Sequence, residues 1–237
     1  MEHPLTRTEA LLGPENMAKL KGARVAVFGL GGVGGHAVEA LARSGVGALD
    51  LIDKDTVSLT NLNRQLIATY ATLGMLKTAA MRERIFSFAP ECRVQEWPLF
   101  FLPETAGELD FSQYNYVVDA IDTVSGKLSI IEAAAAAGVP VISCMGTGNK
   151  LDPSLLKVDY IENTSVCPLA RVMRRELRKR GLQRIKVVYS TEPPLSPGPL
   201  PEDPHRRSTP GSTAFVPASA GLLMASQVVR DIIAAPV

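Results

Sequence analysis

Arg24-Val25-Ala26-Val27-Phe28-Gly29-Leu30-Gly31-Gly32-Val33-Gly34 is the stretch that decides the fold of this 237-residue chain. Its first five residues are mostly β-branched or apolar and predict a buried strand. The glycines predict a turn, and the alanine-rich run at Val38 to Ala42 continues as a helix. A GxGxxG pattern alone says little; between a strand and a helix it describes a nucleotide loop. The first glycine permits the tight turn, the second lets backbone amides approach a phosphate or ribose, and the third brings the helix against the strand. Gly29, Gly31, Gly32 and Gly34 are therefore candidate nucleotide contacts. A second apolar run, Ala48-Leu49-Asp50-Leu51-Ile52, ends at Asp53. That is about 20 residues on, where a carboxylate can accept hydrogen bonds from ribose hydroxyls. These features suit a nicotinamide dinucleotide as well as ATP.

Outward from this unit, apolar runs at Tyr116 to Val118 and Val139 to Ile142 alternate with helical segments around Thr78 to Phe86 and Leu128 to Ala137. Alternation of this kind predicts a Rossmann-like α/β fold, a mostly parallel sheet with helices on both faces. Gly138 marks a helix stop just before the next strand. Beyond Gly148 the pattern changes. Leu155 to Ile161 and Ile185 to Tyr189 predict strands around a basic helix, so the sheet is expected to gain antiparallel members in its C-terminal half. The prolines between Pro193 and Pro210 exclude a helix or central strand there, and a mobile surface loop is expected over 193–210. Leu222, Met224, Ala225, Val228, Val229, Ile232 and Ile233 recur at helical spacing and predict a final core helix. One domain spanning 1–237 follows.

Composition narrows the function. An apolar fraction of 46% with 21% charged residues excludes intrinsic disorder. No apolar stretch approaches a membrane span and no signal-like start is present, so a cytoplasmic, membrane-free protein is expected. Cys92, Cys144 and Cys167 form no CxxC pair, which argues against a zinc knuckle or redox motif. A net charge of +1 argues against coating nucleic acid by bulk charge. It conceals a local excess: Arg171, Arg174, Arg175, Arg178, Lys179, Arg180, Arg184 and Lys186 face only Glu176 in their stretch.

Residues 53–65, Asp-Lys-Asp-Thr-Val-Ser-Leu-Thr-Asn-Leu-Asn-Arg-Gln, are polar where a dehydrogenase would proceed to its next helix. Arg64 offers a planar fork for phosphate oxygens, and Lys77, near the start of the following helix, a compact ammonium. The strand at 116–118 runs into Asp119-Ala120-Ile121-Asp122, carboxylates at the sheet edge where open α/β folds bind ligands; Asp122 can hold Mg²⁺ through oxygen. Each residue alone fits a solvated charge or a cap. Together they match attack on an α-phosphate, because departing pyrophosphate carries charge that must be neutralised.

The GxGxxG loop, the Asp-x-Asp-x-Val-x-x-x-Asn-x-x-Arg-Gln signature of 53–65 and the Asp-x-x-Asp strand end resemble the ubiquitin-activating-like superfamily of adenylating enzymes over nearly the whole chain. Within it the chain is most similar to the tRNA threonylcarbamoyladenosine dehydratases. That likeness rests on Arg7-Thr8-Glu9, Asn61 to Gln65, Asp119 to Asp122, Gly148 to Pro153, Thr164 to Leu169 and the Arg-rich helix. The resemblance implies ATP and Mg²⁺ as cofactors, with Asp53 on the ribose, Asn61, Arg64 and Lys77 on the phosphates, and Asp55 and Gln65 also in the nucleotide site. It further implies that Asp122 positions the metal and that Arg7 reaches the ATP of a neighbouring subunit in a homodimer. Arg7, Arg64, Lys77 and Asp122 are then the catalytic set. The paired CxxC motifs usual in the thiamine- and molybdopterin-pathway members are absent, which disfavours sulfur-carrier activation. Extra cysteines that some dehydratases carry in the proline-rich loop are absent too, and the chain does not identify a sulfur-transfer partner.

Leu169, Val172, Met173 and Leu177 mark one face of the basic helix and leave Arg171, Arg174, Arg175, Arg178 and Lys179 mainly on the others. A solvated basic face is the ordinary reading. In this family the same face can follow RNA phosphates, so these five residues are candidate contacts to tRNA carrying threonylcarbamoyladenosine. The expected reaction is ATP-dependent cyclisation of that nucleoside through an acyl adenylate. Its rivals are adenylation of a ubiquitin-like sulfur carrier, an NAD-dependent oxidoreductase, and a non-catalytic tRNA-binding scaffold.

Overall fold

The structure, a computed structural model, describes residues 2–99, 101, 107–196, 198 and 210–235. Seven strands form one sheet: β1 (Arg24–Phe28), β2 (Ala48–Ile52), β3 (Arg93–Trp97), β4 (Tyr116–Asp119), β5 (Val141–Cys144), β6 (Leu156–Tyr160) and β7 (Lys186–Ser190). Their order is β3-β2-β1-β4-β5-β7-β6. All neighbouring pairs are parallel except β6 and β7. The expected antiparallel extension is thus a single edge strand, β6, because β7 runs parallel to β5. The strand order reverses between β1 and β4, and this switch point opens the crevice in which such sheets bind ligands.

Successive residues of a strand face opposite sides of the sheet, and here both sides are covered. Val25 and Val27 of β1, with Leu49, Leu51, Tyr116 and Val118, pack under α3 (Gly34–Arg43), α4 (Lys77–Phe86) and α7 (Phe215–Ala234). Ala26 and Phe28, with Ile52, Val117 and Val187, pack under α5 (Val124–Ala136) and α6 (Pro168–Lys179) and against Phe101, Phe111 and Tyr114. Burial on both faces is why the central strands read as continuous apolar runs. Inside β2, Asp50 is 1% exposed, yet its carboxylate accepts two bonds from Arg24 and one each from Trp97 Nε1 and the Tyr114 hydroxyl. Two short helices, α1 (Thr6–Leu12) and α2 (Pro14–Gly22), precede the sheet, and Lys19 of α2 donates to the carbonyls of Ile233 and Ala235 at the end of α7. Apart from 193–196, 198 and 210, the proline-rich stretch 193–210 lies outside the described residues.

Backbone contact rather than side-chain packing sets the position of α3. A methyl group on Gly34 would lie 1.7 Å from the Gly29 carbonyl oxygen, and one on Gly221 of α7 would lie 2.2 Å from the Val33 carbonyl oxygen. Gly34→Ala must therefore displace α3 or the loop. The expected loss is roughly 1–3 kcal/mol, the usual range for overpacking, read as a lowered midpoint in urea denaturation. Gly22→Ala, where a methyl group would meet nothing within 4 Å, serves as the control.

Candidate functional site

The loop after β1 turns at Gly29, whose φ of +87° suits glycine. A methyl group there would lie 2.9 Å from the Ala120 carbonyl oxygen, so the loop is pressed against the segment leaving β4. The next amide, Leu30 N–H, donates to Asp53 Oδ2 at 2.7 Å, and Asp55 N–H donates to Asp53 Oδ1 at 2.8 Å. Asp53 thereby ties the ends of β1 and β2 together. Burial raises its pKa above the ordinary carboxylate value, against the pull of Lys77 and the two backbone donors.

Lys77, the first residue of α4, is 6% exposed. Its Nζ donates to Asp55 Oδ2 at 3.0 Å and stands 3.8 Å from Asp53 Oδ2. Its backbone N–H donates to the Asp55 carbonyl. Burying an ammonium this deep is costly without such partners.

The crossover between β2 and α4 supplies the opposite wall. Ser58 caps a short 3₁₀ turn, Leu59–Asn61, and the buried Asn61 accepts from the Ser58 N–H through Oδ1. Arg64 lies against the loop, its Cγ 3.4 Å from where a methyl group on Gly32 would sit; Nη1 donates to the Thr60 carbonyl and to Asn63 Oδ1, both at 2.9 Å. Gln65 is 8% exposed, with Nε2 directed towards Gly31 and a buried Oε1 that has no hydrogen-bond partner. A methyl group on Gly31 would meet only this Gln65 nitrogen, at 3.8 Å. The space over the second loop glycine is left for another molecule.

Beyond β4, Asp122 is exposed at the rim, one residue past Ile121, which itself abuts Gly29. Asp119 plays a different part. It is fully buried and accepts from Lys127 Nζ at 3.2 Å through both oxygens, from Ser143 Oγ at 2.5 Å and from the Ile121 N–H. Lys127, 0% exposed, donates also to the Cys144 carbonyl at 2.7 Å. This knot joins the ends of β4 and β5 beneath the site. Lys127 and Ser143 escape sequence reading because each sits within an apolar helix or strand and matches no nucleotide motif.

The residues expected from sequence thus gather around 29–34, with Asp53, Asp55 and Lys77 on one side, Asn61, Arg64 and Gln65 on another, and Asp122 at the rim. Arg7 stands apart. It is exposed on α1, and Leu5 just before it packs on Gly45, which precedes β2 at the far end of the strands. On α6, Arg174 Nη1 donates to the Thr164 carbonyl and hydroxyl at 2.7 Å. Glu176 is held down to about 2 by hydrogen bonds from Lys179 and Arg180, with a further one from Arg175. Arg171 and Arg178 are exposed and make no ion pair or side-chain hydrogen bond among the described residues. All three cysteines are buried, and burial pushes the Cys144 thiol up to about 12. None is a ready nucleophile.

Residues 5–235 match the family model described as "ThiF family". The chain belongs to the ThiF family. Among its relatives, a tRNA threonylcarbamoyladenosine dehydratase of Bacillus subtilis is 39% identical, over 98% of this chain and 96% of its own length. The enzyme of the same name from Escherichia coli is 33% identical over 96% and 92%. The crystal structure of that E. coli dehydratase, TcdA, in complex with ATP has a TM-score of 0.89 to this fold at 33% identity, covering 98% of this chain and 94% of that one. No helix among the described residues is long and apolar enough to cross a membrane.

The knot under the site gives a stability prediction for this family member. Lys127→Met leaves Asp119 buried without its cation, which costs on the order of 3–5 kcal/mol when a buried pair is broken. Chemical denaturation should show that loss, and Ser143→Ala should cost less.

Proposed function

We infer that this chain is an ATP-dependent tRNA threonylcarbamoyladenosine dehydratase. The observation that carries the reading is the convergence of Asp53, Lys77, Arg64 and the Gln65 amide nitrogen on one glycine loop. It occurs in a chain similar over nearly its whole length to dehydratases. The ATP complex of the E. coli relative favours ATP over a nicotinamide dinucleotide at this loop.

The substrate carboxylate, on the threonyl group of the modified adenosine, forms a bond to the α-phosphorus of ATP as the bond to pyrophosphate breaks. A nitrogen or oxygen of the adjacent urea then attacks the activated carbonyl carbon, a urea N–H proton is released to solvent, a five-membered ring closes and AMP departs. The short tether makes this second step intramolecular, and proximity supplies much of its advantage. In this reading Asp53 exchanges part of its bonding to Leu30 for the ribose hydroxyls. Asp55 holds Lys77 in place, while Lys77 and Arg64 meet the phosphate oxygens on which charge accumulates. Asn61 and Gln65 complete the cradle. No His, Cys, Asp or Glu cluster able to enclose a metal exists among the described residues. Mg²⁺ nevertheless fits, because it usually takes only one or two carboxylates and completes its shell with phosphate oxygens and water. In this reading Asp122 is the carboxylate that would hold it, and the bound ion would neutralise phosphate charge. Because Arg7 is remote from the loop of its own chain, we assign it to the site of a second copy in a homodimer.

The decisive assay is mass spectrometry of tRNA nucleosides after incubation with protein and ATP. Threonylcarbamoyladenosine should become lighter by one water. An unchanged nucleoside, with ATP–pyrophosphate exchange on a ubiquitin-like carrier instead, would overturn the assignment. Arg64→Ala and Lys77→Ala should each lower kcat/KM by about 10²–10³-fold, as loss of a preorganised charge-stabilising donor does; a scaffold would be indifferent to both.

The basic face of α6 is assigned to the tRNA, with Arg171 and Arg178 contributing most and Arg175 and Lys179 partly neutralised by Glu176. Arg174 is held by Thr164 and would contribute chiefly by fixing the helix. Affinity for tRNA should fall steeply as salt rises. Arg171→Glu and Arg178→Glu should each flatten the log–log salt slope by about one; filter binding across a salt series reads this directly.

A further inference from the structure

Arg64 is fixed from a place distant in sequence. Asn149, in the segment after β5, has a left-handed backbone with φ of +58°. That conformation turns three of its polar groups onto both flanks of the stretch 196–210. Its carbonyl accepts from the Leu195 N–H at 2.8 Å, its N–H donates to the Gly211 carbonyl at 2.8 Å, and its Oδ1 accepts from the Gly211 N–H at 2.6 Å. Gly148 allows the approach, since a methyl group there would lie 2.7 Å from Pro210 Cβ. Next to Gly211, the Ser212 carbonyl accepts from Asn63 Nδ2 at 3.0 Å, and Asn63 Oδ1 accepts from Arg64 Nη1 at 2.9 Å. Five residues later Pro217 closes on Gly32, its Cβ 3.1 Å from where a methyl group would sit.

We propose that Asn149 and Asn63 are positioning residues for the adenylation step: Asn149 clasps residues 195 and 211, the clasp fixes Ser212, and Asn63 carries that position to the Arg64 guanidinium. The inference rests on the reading of this site as an ATP site. Asn63 suits the relay because its amide has a donor end and an acceptor end, and here both are used, on two segments about 150 residues apart in sequence. Asn149 suits the clasp because asparagine tolerates left-handed backbone better than almost any other side-chain-bearing residue. Neither residue needs to touch substrate. Both act by restricting where the Arg64 fork can point.

The test is a double-mutant cycle on ATP affinity, measured by calorimetry on the full chain without tRNA, together with kcat and KM for ATP in the dehydration assay. Asn63→Ala alters an exposed side chain and breaks the relay in the middle. Asn149→Gly keeps the left-handed backbone and removes the side-chain acceptor; Asn149→Asp keeps both and should restore affinity. Asn63→Ala and Asn149→Gly should each weaken ATP binding roughly five- to twentyfold, within the range for coupled neighbours, and each effect should vanish in an Arg64→Ala background. KM for ATP should rise with them. Equal effects in the presence and absence of Arg64 would overturn the relay, as would a lowered melting temperature with unchanged ATP affinity. Should Asn149→Gly fail to fold, the Asn63→Ala and Arg64→Ala cycle decides alone. A wild-type chain that binds ATP but leaves the tRNA nucleoside unchanged would refute the proposed reaction, yet the cycle would still report on Arg64.

Discussion

The close passage of Gly34 beneath the Gly29 carbonyl is the constraint on which the site depends. With no side chain at either position, α3 begins almost on top of the strand it follows, and the turn between them has little freedom. Gly29 in turn presses on Ala120, so the loop is trapped at the switch point between β1 and β4. Two consequences follow from one steric fact. The Leu30 amide is brought onto Asp53, and the segment bearing Asp122 is held beside the loop. Glycine at these positions gives up more conformational freedom on folding than any other residue would. The fold accepts that cost where a ligand must come close to backbone.

The electrostatics are arranged around the same loop by pairing rather than by net charge. Asp53 is buried enough for its pKa to rise, and Lys77 opposes that rise. Lys77 is buried enough to need Asp55 and Asp53. Each group's burial is tolerable only because the other is present, which makes the trio rigid and prepared for a polyanion. Arg64 works differently. Its guanidinium is tied to the backbone carbonyl of Thr60 and the amide of Asn63, neutral acceptors, so its positive charge remains uncancelled by these partners. A buried lysine held by carboxylates and an arginine tied to a carbonyl and an amide thus border the same loop by different means.

Much of this was legible in the sequence because the chemistry and the spacing coincide. A strand, a glycine turn and a helix can be read from 24–43, and Asp53 falls where the next strand ends. The signals that failed share a physical cause: they are polar residues used against the interior. Asp50 looks like an interruption of an apolar strand, yet it is saturated by Arg24, Trp97 and Tyr114, which arrive from three other parts of the chain. Lys127 looks like a surface lysine of an alanine-rich helix, yet it is fully buried on Asp119. β3 was not visible because an edge strand needs little apolar surface: Arg93–Trp97 has no fully buried residue. Arg174 reads as one of a row of exposed cations and is spent on Thr164. The partners of Asp50 lie 26 to 64 residues away, and those of Lys127 and Arg174, only 8 and 10 residues off, sit on a different element, so the pattern within one element carries no trace of them.

Under the proposed function, the same distinction would let a small chain serve both ATP and a large RNA. Glu176 draws Arg175, Lys179 and Arg180 together, and Arg174 turns inward, so the apparently uniform basic helix is reduced to Arg171 and Arg178. These are seven residues apart, which puts them on one side of the helix about 10 Å from each other. Leu169, near the start of α6, packs beside Gly146 just after β5, so the helix begins at the carboxyl edge of the sheet and leads away from the glycine loop. An RNA following that side would meet Arg171 first and carry its modified base towards the crevice, while Arg178 held the backbone a turn or two behind. Phosphate contacts of this kind give affinity and orientation but no sequence information. Selectivity must then come from the crevice itself, where only a nucleoside bearing a free carboxylate offers an oxygen to the α-phosphate.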